Sequence, residues 1–173
     1  MKSNNKFIIE WKKDFYDCEW FNDTNFEKLD GVCGVHAFIF NDKKEICIAK
    51  WKNHKNWGDI GGKKEKYDKT FEDTLIREAD EEADLDLKDI KRIGYYSTTK
   101  RGTRDIQYSI VMIARVKKIK PQTIDPAYGE IPQRKFVKPE DFNKYCKWEK
   151  SGEFQIKKAL EKLRKKEIIK NYE

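Results

Sequence analysis

Residues 61–85 read GGKKEKYDKTFEDTLIREADEEADL, a glycine pair followed by a helical pattern. Thr70 is a residue type that caps helix N-termini, Asp73 lies three positions later, and Glu72 adds negative charge to the first turn. The apolar residues that follow recur at helical spacing and fall on one arc: Phe71, Leu75, Ile76, Ala79 and Ala83. The spacing predicts a helix from about Phe71 to Ala83, with the glycine pair in the loop before it.

The end of this helix is strongly acidic. Between positions 78 and 84 stand five acids and no basic residue: Glu78, Asp80, Glu81, Glu82 and Asp84. Glu78, Glu81 and Glu82 are three and four positions apart and therefore share one helical face, where like charges cost about 0.2–0.5 kcal/mol per pair. Such a face is either simply solvated, or it is a site for a divalent cation such as Mg²⁺ or Mn²⁺, which prefers oxygen ligands. The glycine pair favours the cation site, because its backbone can approach a ligand closely.

The flanking sequence alternates strands and helices. Val32 to Phe40 is an almost unbroken apolar run, which is typical of a strand buried on both faces. Further strands are predicted over residues 45–51, 91–98, 106–117 and 135–137, with helices opening at Pro139 and near Ser151. The mixed order predicts an α/β or α+β fold in one domain.

With this context, residues 57–85 resemble the signature of the Nudix (MutT-like) hydrolase family. That signature is Gly, five residues, Glu, seven residues, Arg-Glu, an aliphatic, any residue, Glu-Glu, any residue, Gly and an aliphatic. The chain supplies Gly61-Gly62-Lys63, the complete Arg-Glu-x-x-Glu-Glu core from Arg77 to Glu82, and Leu85, with Trp57 where relatives often carry an aromatic. Three positions depart from the pattern: Asp68 replaces the glutamate, with eight residues rather than seven between it and Arg77, Asp84 replaces the last glycine, and Ile60 replaces a proline.

The resemblance implies a Nudix-type α/β/α sandwich with a mixed sheet. It also implies metal-dependent hydrolysis of a pyrophosphate bond in a nucleoside diphosphate linked to another group. The implied ligands of Mg²⁺ or Mn²⁺ are Glu78, Glu81, Glu82 and the carbonyl of Gly61. The implied substrate-binding residues are Lys63, Trp57 and Gly62. Arg77 would orient the carboxylates.

The water-activating base varies within the family. Glu78 is one candidate. Glu130 is another, because residues 130–142 resemble a downstream motif in which an acid precedes an aromatic strand and a proline-glutamate helix. Asp68 is a third. The resemblance covers residues 32–142, the predicted hydrolase domain. Residues 1–31 are then an extension, a short helix or strand packing on the body, and residues 143–173 a basic C-terminal helix of the same domain.

Net charge leaves the partner open. The chain carries a net charge of +7 and has a pI near 9.0. This charge would favour binding of a polyanionic partner, but a genome biased toward lysine codons would produce the same charge without such a partner. A compact single domain favours a small nucleotide, such as a nucleoside triphosphate. The alternatives are an RNA 5′-end pyrophosphohydrolase or a non-catalytic nucleotide- or RNA-binding module. Nucleic acid is the less favoured partner, and the oligomeric state stays open.

Several other residues have two interpretations. His36 is expected to be a satisfied core residue and His54 a solvated one. Trp57 and Tyr128 either pack or stack on a base, and the basic turn at residues 100–104 either binds phosphate or is a hairpin end. On the last helix, the stripe of Ile156, Ala159, Leu160 and Leu163 is expected to dock, with Lys158, Lys162, Lys165 and Lys166 largely on the opposite side.

Localisation is predicted from what the sequence does not show. It has neither an apolar run long enough to span a membrane nor a basic-then-apolar leader, so a cytoplasmic protein without membrane contact is expected. Its four cysteines have no Cys-x-x-Cys spacing and are predicted to be reduced, mostly core thiols.

Overall fold

The computed structural model describes residues 5–11, 13–26 and 29–170. A single mixed sheet organises the chain, with strand order β1-β2-β6-β7-β3-β4-β8 and β5 paired to β3. The strands are β1 (Lys6–Trp11), β2 (Asp14–Phe21), β3 (Val32–Phe40), β4 (Ile46–Lys50), β5 (Ile60–Lys63), β6 (Leu85–Lys100), β7 (Ile106–Ile119) and β8 (Gln133–Val137). The helices are α1 (Phe71–Ala83), a 3-10 turn (Pro139–Asp141), α2 (Phe142–Cys146) and α3 (Glu149–Lys170).

Strand β3 is an interior strand of the sheet and is buried on both faces, as its apolar sequence predicts. It runs parallel to β7 along one side and antiparallel to β4 and β5 along the other, so the sheet is mixed. Alternate residues enter two different cores: Val35, Ala37 and Ile39 face one, and Phe38 and Phe40 face the other. Burial on both faces explains the lack of polar alternation in this strand.

Helix α1 covers one face of the sheet and begins as predicted. Thr70 accepts a hydrogen bond from the backbone of Asp73, whose side chain in turn accepts one from the backbone of Thr70, which completes a capping box. Leu75 is fully buried against the sheet, as are Ala79 and Ala83. Ile76, which belongs to the same predicted arc, is 48% exposed.

Helices α2 and α3 cover the opposite face. Their buried residues join Phe38, Phe40 and the other residues of the second core; they are Phe142, Cys146, Ile156, Ala159 and Leu163. Helices on both faces of one mixed sheet confirm the predicted sandwich in a single domain. Leu160 is only partly buried. Lys162 is exposed, whereas the side chains of Lys165 and Lys166 lie outside the described residues.

The N-terminal segment forms strands, one of the two predicted alternatives. Strands β1 and β2 form a hairpin (residues 6–21), and β2 pairs with β6, so that the hairpin extends the sheet at one edge. Its rings pack on α3, since Phe154 lies 5.4 Å from Phe7 and 5.7 Å from Trp20 between ring centroids.

The four cysteines are free thiols, and all except Cys33 are buried. In the described part of the chain, no helix combines the length and apolar character needed to cross a membrane.

Candidate active site

The glycine pair lies on β5 and touches the acidic helix directly. Gly61 pairs with His36 on β3 and donates its backbone N–H to Glu82 Oε2 at 2.9 Å. A Cβ at position 61 would lie 2.2 Å from the carbonyl oxygen of Val35, so only glycine lets the two strands pair here. The strand therefore holds Glu82 through its backbone.

Gly62 provides the surface on which Glu78 rests. A Cβ at position 62 would lie 2.2 Å from Glu78 Oε1, with the other carboxylate atoms nearly as close. A larger residue at position 62 would thus collide with the Glu78 side chain, whereas a larger residue at position 61 would collide with the backbone of β3. Together they bring Glu78 and Glu82, one helical turn apart, against the same strand.

Arg77 gathers the remaining acids. Its guanidinium lies 2.9 Å from Glu78 Oε1 and donates to Glu81 Oε2, also at 2.9 Å. It further donates to the carbonyl of Lys63 at 2.9 Å, which ties the helix to the end of β5. Burial alone would lower the pKa of Arg77, but Asp68 and the two glutamates raise it, so the guanidinium stays charged. These contacts fit the predicted orienting role.

Asp68 belongs to this network despite its shifted position. Its two carboxylate oxygens accept from Arg77 Nε at 3.3 Å and Nη2 at 3.1 Å, and Oδ2 also accepts from the backbone of Glu65 at 2.9 Å. Burial would raise the pKa of Asp68, but these hydrogen bonds outweigh it and hold the pKa below its usual value. The turn closed by Glu65 accommodates the extra residue of the loop.

Glu78 and Glu82 have higher pKa values than glutamates on an exposed helix surface. Burial raises the pKa of Glu82 well above its usual value, and the negative charges of Glu78, Asp59 and Asp125 add to this against the Gly61 hydrogen bond. Burial likewise raises the pKa of Glu78, although Arg77 opposes it. Glu82 is 8% exposed, so its charge has little access to water. A cation at this place would offset the cost of ionising both.

The donor set suits a hard divalent cation, which takes carboxylate and carbonyl oxygens. The acids do not, however, form a complete coordination site: among the described residues, no three His, Cys, Asp or Glu side chains converge on one metal position. Arg77 supplies the positive charge there and engages one oxygen each of Glu78 and Glu81. The residues fit a hard cation by the chemistry of their oxygen donors.

Comparison with known proteins identifies the family. The NUDIX domain model matches residues 32–161. The chain belongs to the NUDIX domain family. It is a Nudix-type pyrophosphohydrolase, an enzyme acting on acid anhydrides. The match begins with β3 and extends into α3. A search of curated proteins by sequence found no match.

Solved structures share this Nudix fold. A mutant of the Bacillus subtilis pyrophosphohydrolase BsRppH has a TM-score of 0.68 at 17% identity, over 90% of this chain and 97% of its own. The NUDIX domain of Shewanella oneidensis NrtR, complexed with ADP ribose, has a TM-score of 0.59 at 18% identity, over 82% and 94%. An Ap4A hydrolase from C. elegans has 0.54 at 13% identity, over 78% and 99%.

Three further residues were expected in the site. Glu130 accepts from the backbone N–H of Lys52 at 2.7 Å, which ties together the loops after β4 and β7. Trp57 is half-buried, with Tyr145 at 6.1 Å and the Lys135 ammonium 5.2 Å from its ring. The side chain of Lys63 is exposed at the end of β5.

Two buried acids of the site were missed by sequence reasoning. Asp59 lies just before β5 and faces His36 Nδ1 at 3.3 Å, and Asp125 accepts from Trp51 Nε1 at 2.8 Å. Asp59 stands two residues before the glycine pair, a position that could have drawn attention. Asp125 lies in an irregular loop and belongs to no motif, so nothing local distinguishes it from a solvated aspartate.

Proposed function

We propose that this chain uses a divalent cation, Mg²⁺ or Mn²⁺, to hydrolyse a pyrophosphate bond in a nucleoside diphosphate linked to another group, with a nucleoside triphosphate as the favoured substrate. The observation that carries this proposal is the contact of the acidic helix with the glycine strand. Gly61 holds Glu82 by a backbone hydrogen bond, while Gly62 leaves room only for the carboxylate of Glu78.

Glu78, Glu81 and Glu82 would hold the cation, with the carbonyl of Gly61 as a further oxygen ligand. When bound, such a cation neutralises phosphate charge and lowers the pKa of a coordinated water. Arg77 aligns Glu78 and Glu81 by charge-assisted hydrogen bonds, and Asp68 holds Arg77 from the other side. In this proposal Asp68 is a positioning residue. Lys63, exposed beside the glycine pair, would contact a phosphate.

Of the candidates for the base, we favour Glu78. Burial raises the pKa of its carboxylate although Arg77 opposes the shift, so this carboxylate accepts a proton more readily than an exposed glutamate. Glu130 remains the second candidate, but one of its oxygens is already engaged by the backbone of Lys52. Because Glu78 would also hold the cation, kcat of Glu78→Gln and of Glu130→Gln should be compared at saturating Mg²⁺. A larger loss in Glu130→Gln would transfer the role to Glu130.

The test is release of phosphate and pyrophosphate from a panel of nucleoside triphosphates, dinucleoside polyphosphates, nucleotide sugars and ADP-ribose, with and without Mg²⁺. Glu82→Gln should abolish most turnover. Asp80→Asn is the matched control, because Asp80 lies on the same helix but is exposed and pairs with Lys120. No turnover of any substrate by the folded protein, or equal activity in Glu82→Gln, would contradict the proposal.

An RNA 5′ end is a second candidate substrate, favoured by the net charge of +7. The basic turn at residues 100–104 supports it weakly, since Lys100 and Arg101 pair with Asp14 and Asp17 of β2. Binding of 5′-triphosphorylated RNA should be measured against salt. Affinity that is already absent at about 50 mM salt would dismiss RNA, because several neutralised phosphates give steep salt dependence but strong binding at low salt.

A further inference from the structure

Strand β1 forms one edge of the sheet. It stands at the end of the strand order, next to β2, and no other strand in the described part of the chain pairs with it. An edge strand presents a row of backbone N–H and C=O groups that can pair with a further strand. Ile8, near the middle of this edge, is 61% exposed. The edge therefore offers both backbone groups and an apolar side chain to a partner.

The pairing of β1 with β2 determines which backbone groups point to the open side. The carbonyl of Asn5 accepts a hydrogen bond from the backbone N–H of Trp20, and the same register continues through β1 without a bulge. In an antiparallel pair, hydrogen-bonded and non-hydrogen-bonded residues alternate. The odd-numbered residues of β1 therefore bond to β2, and the N–H and C=O groups of Lys6, Ile8 and Glu10 point away from it.

These three outward residues form a pattern that is complementary to itself. Lys6 and Glu10 have opposite charges, lie equally far from Ile8 and are both exposed. If two copies of β1 run antiparallel about a two-fold axis at Ile8, Lys6 of each copy lies opposite Glu10 of the other. Opposite charges directly across an antiparallel pair are favourable, and like charges are unfavourable. Registers centred on Lys6 or on Glu10 would place like charges opposite each other, so the charges select the register centred on Ile8.

The same register joins apolar side chains on the other face of the strand. Phe7 and Ile9 share the face of β1 on which Phe7 packs against Phe154 of α3, and both are half-buried. A two-fold axis at Ile8 places Phe7 of one copy opposite Ile9 of the other. These residues form the non-hydrogen-bonded pairs, in which side chains approach most closely. The register that matches the charges therefore also extends the apolar contact with α3.

We infer that β1 joins two copies of this chain into a symmetric dimer, with Ile8 at the two-fold axis and the two sheets continuous across it. Such an interface uses the same patch on both copies. Strand β8, at the other end of the sheet, carries Arg134 and Lys135 but no acid, so it has no opposite charges to offer to a second copy of itself. One short strand from each copy makes a smaller contact than a standard interface, so we expect a dissociation constant of about 10–100 μM.

The experiment is sedimentation velocity of the full chain from about 5 μM to about 1 mM, a range that spans the expected dissociation constant. The variants are Ile8→Lys, Lys6→Glu and Glu10→Lys. Ile124→Lys is the matched control, because Ile124 is 62% exposed and lies in the loop after β7. Circular dichroism melts establish that each variant folds. Ile8→Lys and Glu10→Lys keep the test valid if loss of the ion pair between Lys6 and Glu19 disturbs the hairpin.

The wild-type chain should form a dimer, and Ile8→Lys and each charge reversal should weaken it about tenfold or more, because like charges then lie opposite each other. Ile124→Lys should associate like the wild type. An equimolar mixture of Lys6→Glu and Glu10→Lys should regain the wild-type affinity as a mixed dimer, since each glutamate of one chain then lies opposite a lysine of the other. Only a register in which positions 6 and 10 face each other gives this rescue.

A wild-type chain that stays monomeric at about 1 mM overturns the inference and leaves this edge to another occupant. A dimer that Ile8→Lys and Glu10→Lys leave intact also overturns it, because that dimer would be built on a different surface. A mixture that associates no better than its two components contradicts the register centred on Ile8. The measurement involves neither cation nor nucleotide, so its outcome is independent of the proposed hydrolysis.

Discussion

Gly62 lies directly against the carboxylate of Glu78, with no room for a methyl group between them. Gly62→Ala should therefore displace a flexible side chain, leave stability nearly intact and lower kcat/KM by about 100-fold, since small misplacements in an active site cost that much. Gly58→Ala is the matched control, because a Cβ at position 58 meets nothing within 4 Å. Wild-type activity in Gly62→Ala would show that Glu78 is not needed where it lies.

Gly61→Ala should fail for a different reason. Its Cβ would meet the backbone of Val35 and His36, which cannot move aside as a side chain can. We expect a loss of about 2–4 kcal/mol in unfolding free energy, in the range of severe packing errors. Denaturant unfolding of Gly58→Ala, Gly61→Ala and Gly62→Ala separates the two effects, and a Gly61→Ala variant as stable as Gly58→Ala would contradict the described pairing of β3 and β5.

Because of Glu82, we expect the stability of the metal-free protein to fall as the pH rises. Its pKa is raised in the folded state, chiefly by burial, so folding favours the protonated form. Its contribution to stability is then complete below its unfolded pKa of about 4.3, is lost as pH rises toward the folded pKa, and stays lost above it. The difference in melting temperature between wild type and Glu82→Gln, measured from pH 4 to 9 in EDTA, isolates this contribution.

Mg²⁺ should reverse that trend, because ligand carboxylates must be ionised to bind a cation. The rise in melting temperature on adding Mg²⁺ should grow with pH in the wild type and be small at every pH in Glu82→Gln. A stabilisation by Mg²⁺ that is the same in both proteins would place the cation elsewhere.

The sequence predicted the core of the site because its spacing is local. Helix α1 was predicted with the bounds observed. The helical repeat alone places Glu78, Glu81 and Glu82 on one face, independently of the tertiary structure. The role of Asp68 was harder to predict from the sequence. The loop holds one extra residue, and only the turn closed by Glu65 shows that Asp68 still reaches Arg77.

The non-local parts of the site could not be predicted from spacing. Asp125 approaches the glutamates only because the loop after β7 folds back over Trp51, a contact between residues 74 positions apart. The packing of α3 on the N-terminal hairpin is likewise non-local, since the ring centroids of Phe7 and Phe154 lie 5.4 Å apart. Sequence patterns revealed strands and helices in these segments but not their order in the sheet, which tertiary packing decides.

Asp84 stands where the family signature has a glycine, and we expect its replacement to change stability but not nucleotide turnover. It ends α1 in the left-handed region, at φ 48°, and its carboxylate accepts from the backbone N–H of Thr123 at 2.9 Å and from its hydroxyl at 2.7 Å. Asp84→Gly should relieve about 1 kcal/mol of backbone strain but lose both bonds to a buried charge, for a net loss of about 1–2 kcal/mol. Asp84→Asn should lose less. Denaturant unfolding and the nucleotide assay check both parts, and a more stable Asp84→Gly would show that Thr123 contributes nothing.

Helix α3 should dock through Leu163 more than through Leu160. Leu163 is 7% exposed in the second core, whereas Leu160 is partly exposed along a groove between α2 and α3. Leu163→Ala should therefore lower the free energy of unfolding by about 2–4 kcal/mol, and Leu160→Ala by about 1 kcal/mol, because the cost follows the buried volume that is removed. Lys162→Glu on the exposed side should change stability by less than about 0.5 kcal/mol and leave nucleotide turnover unchanged. Urea unfolding of the three variants gives the order. A larger loss for Leu160→Ala would mean that the helix presents a different face to the sheet, and loss of turnover in folded Lys162→Glu would place the basic side of α3 in the substrate site.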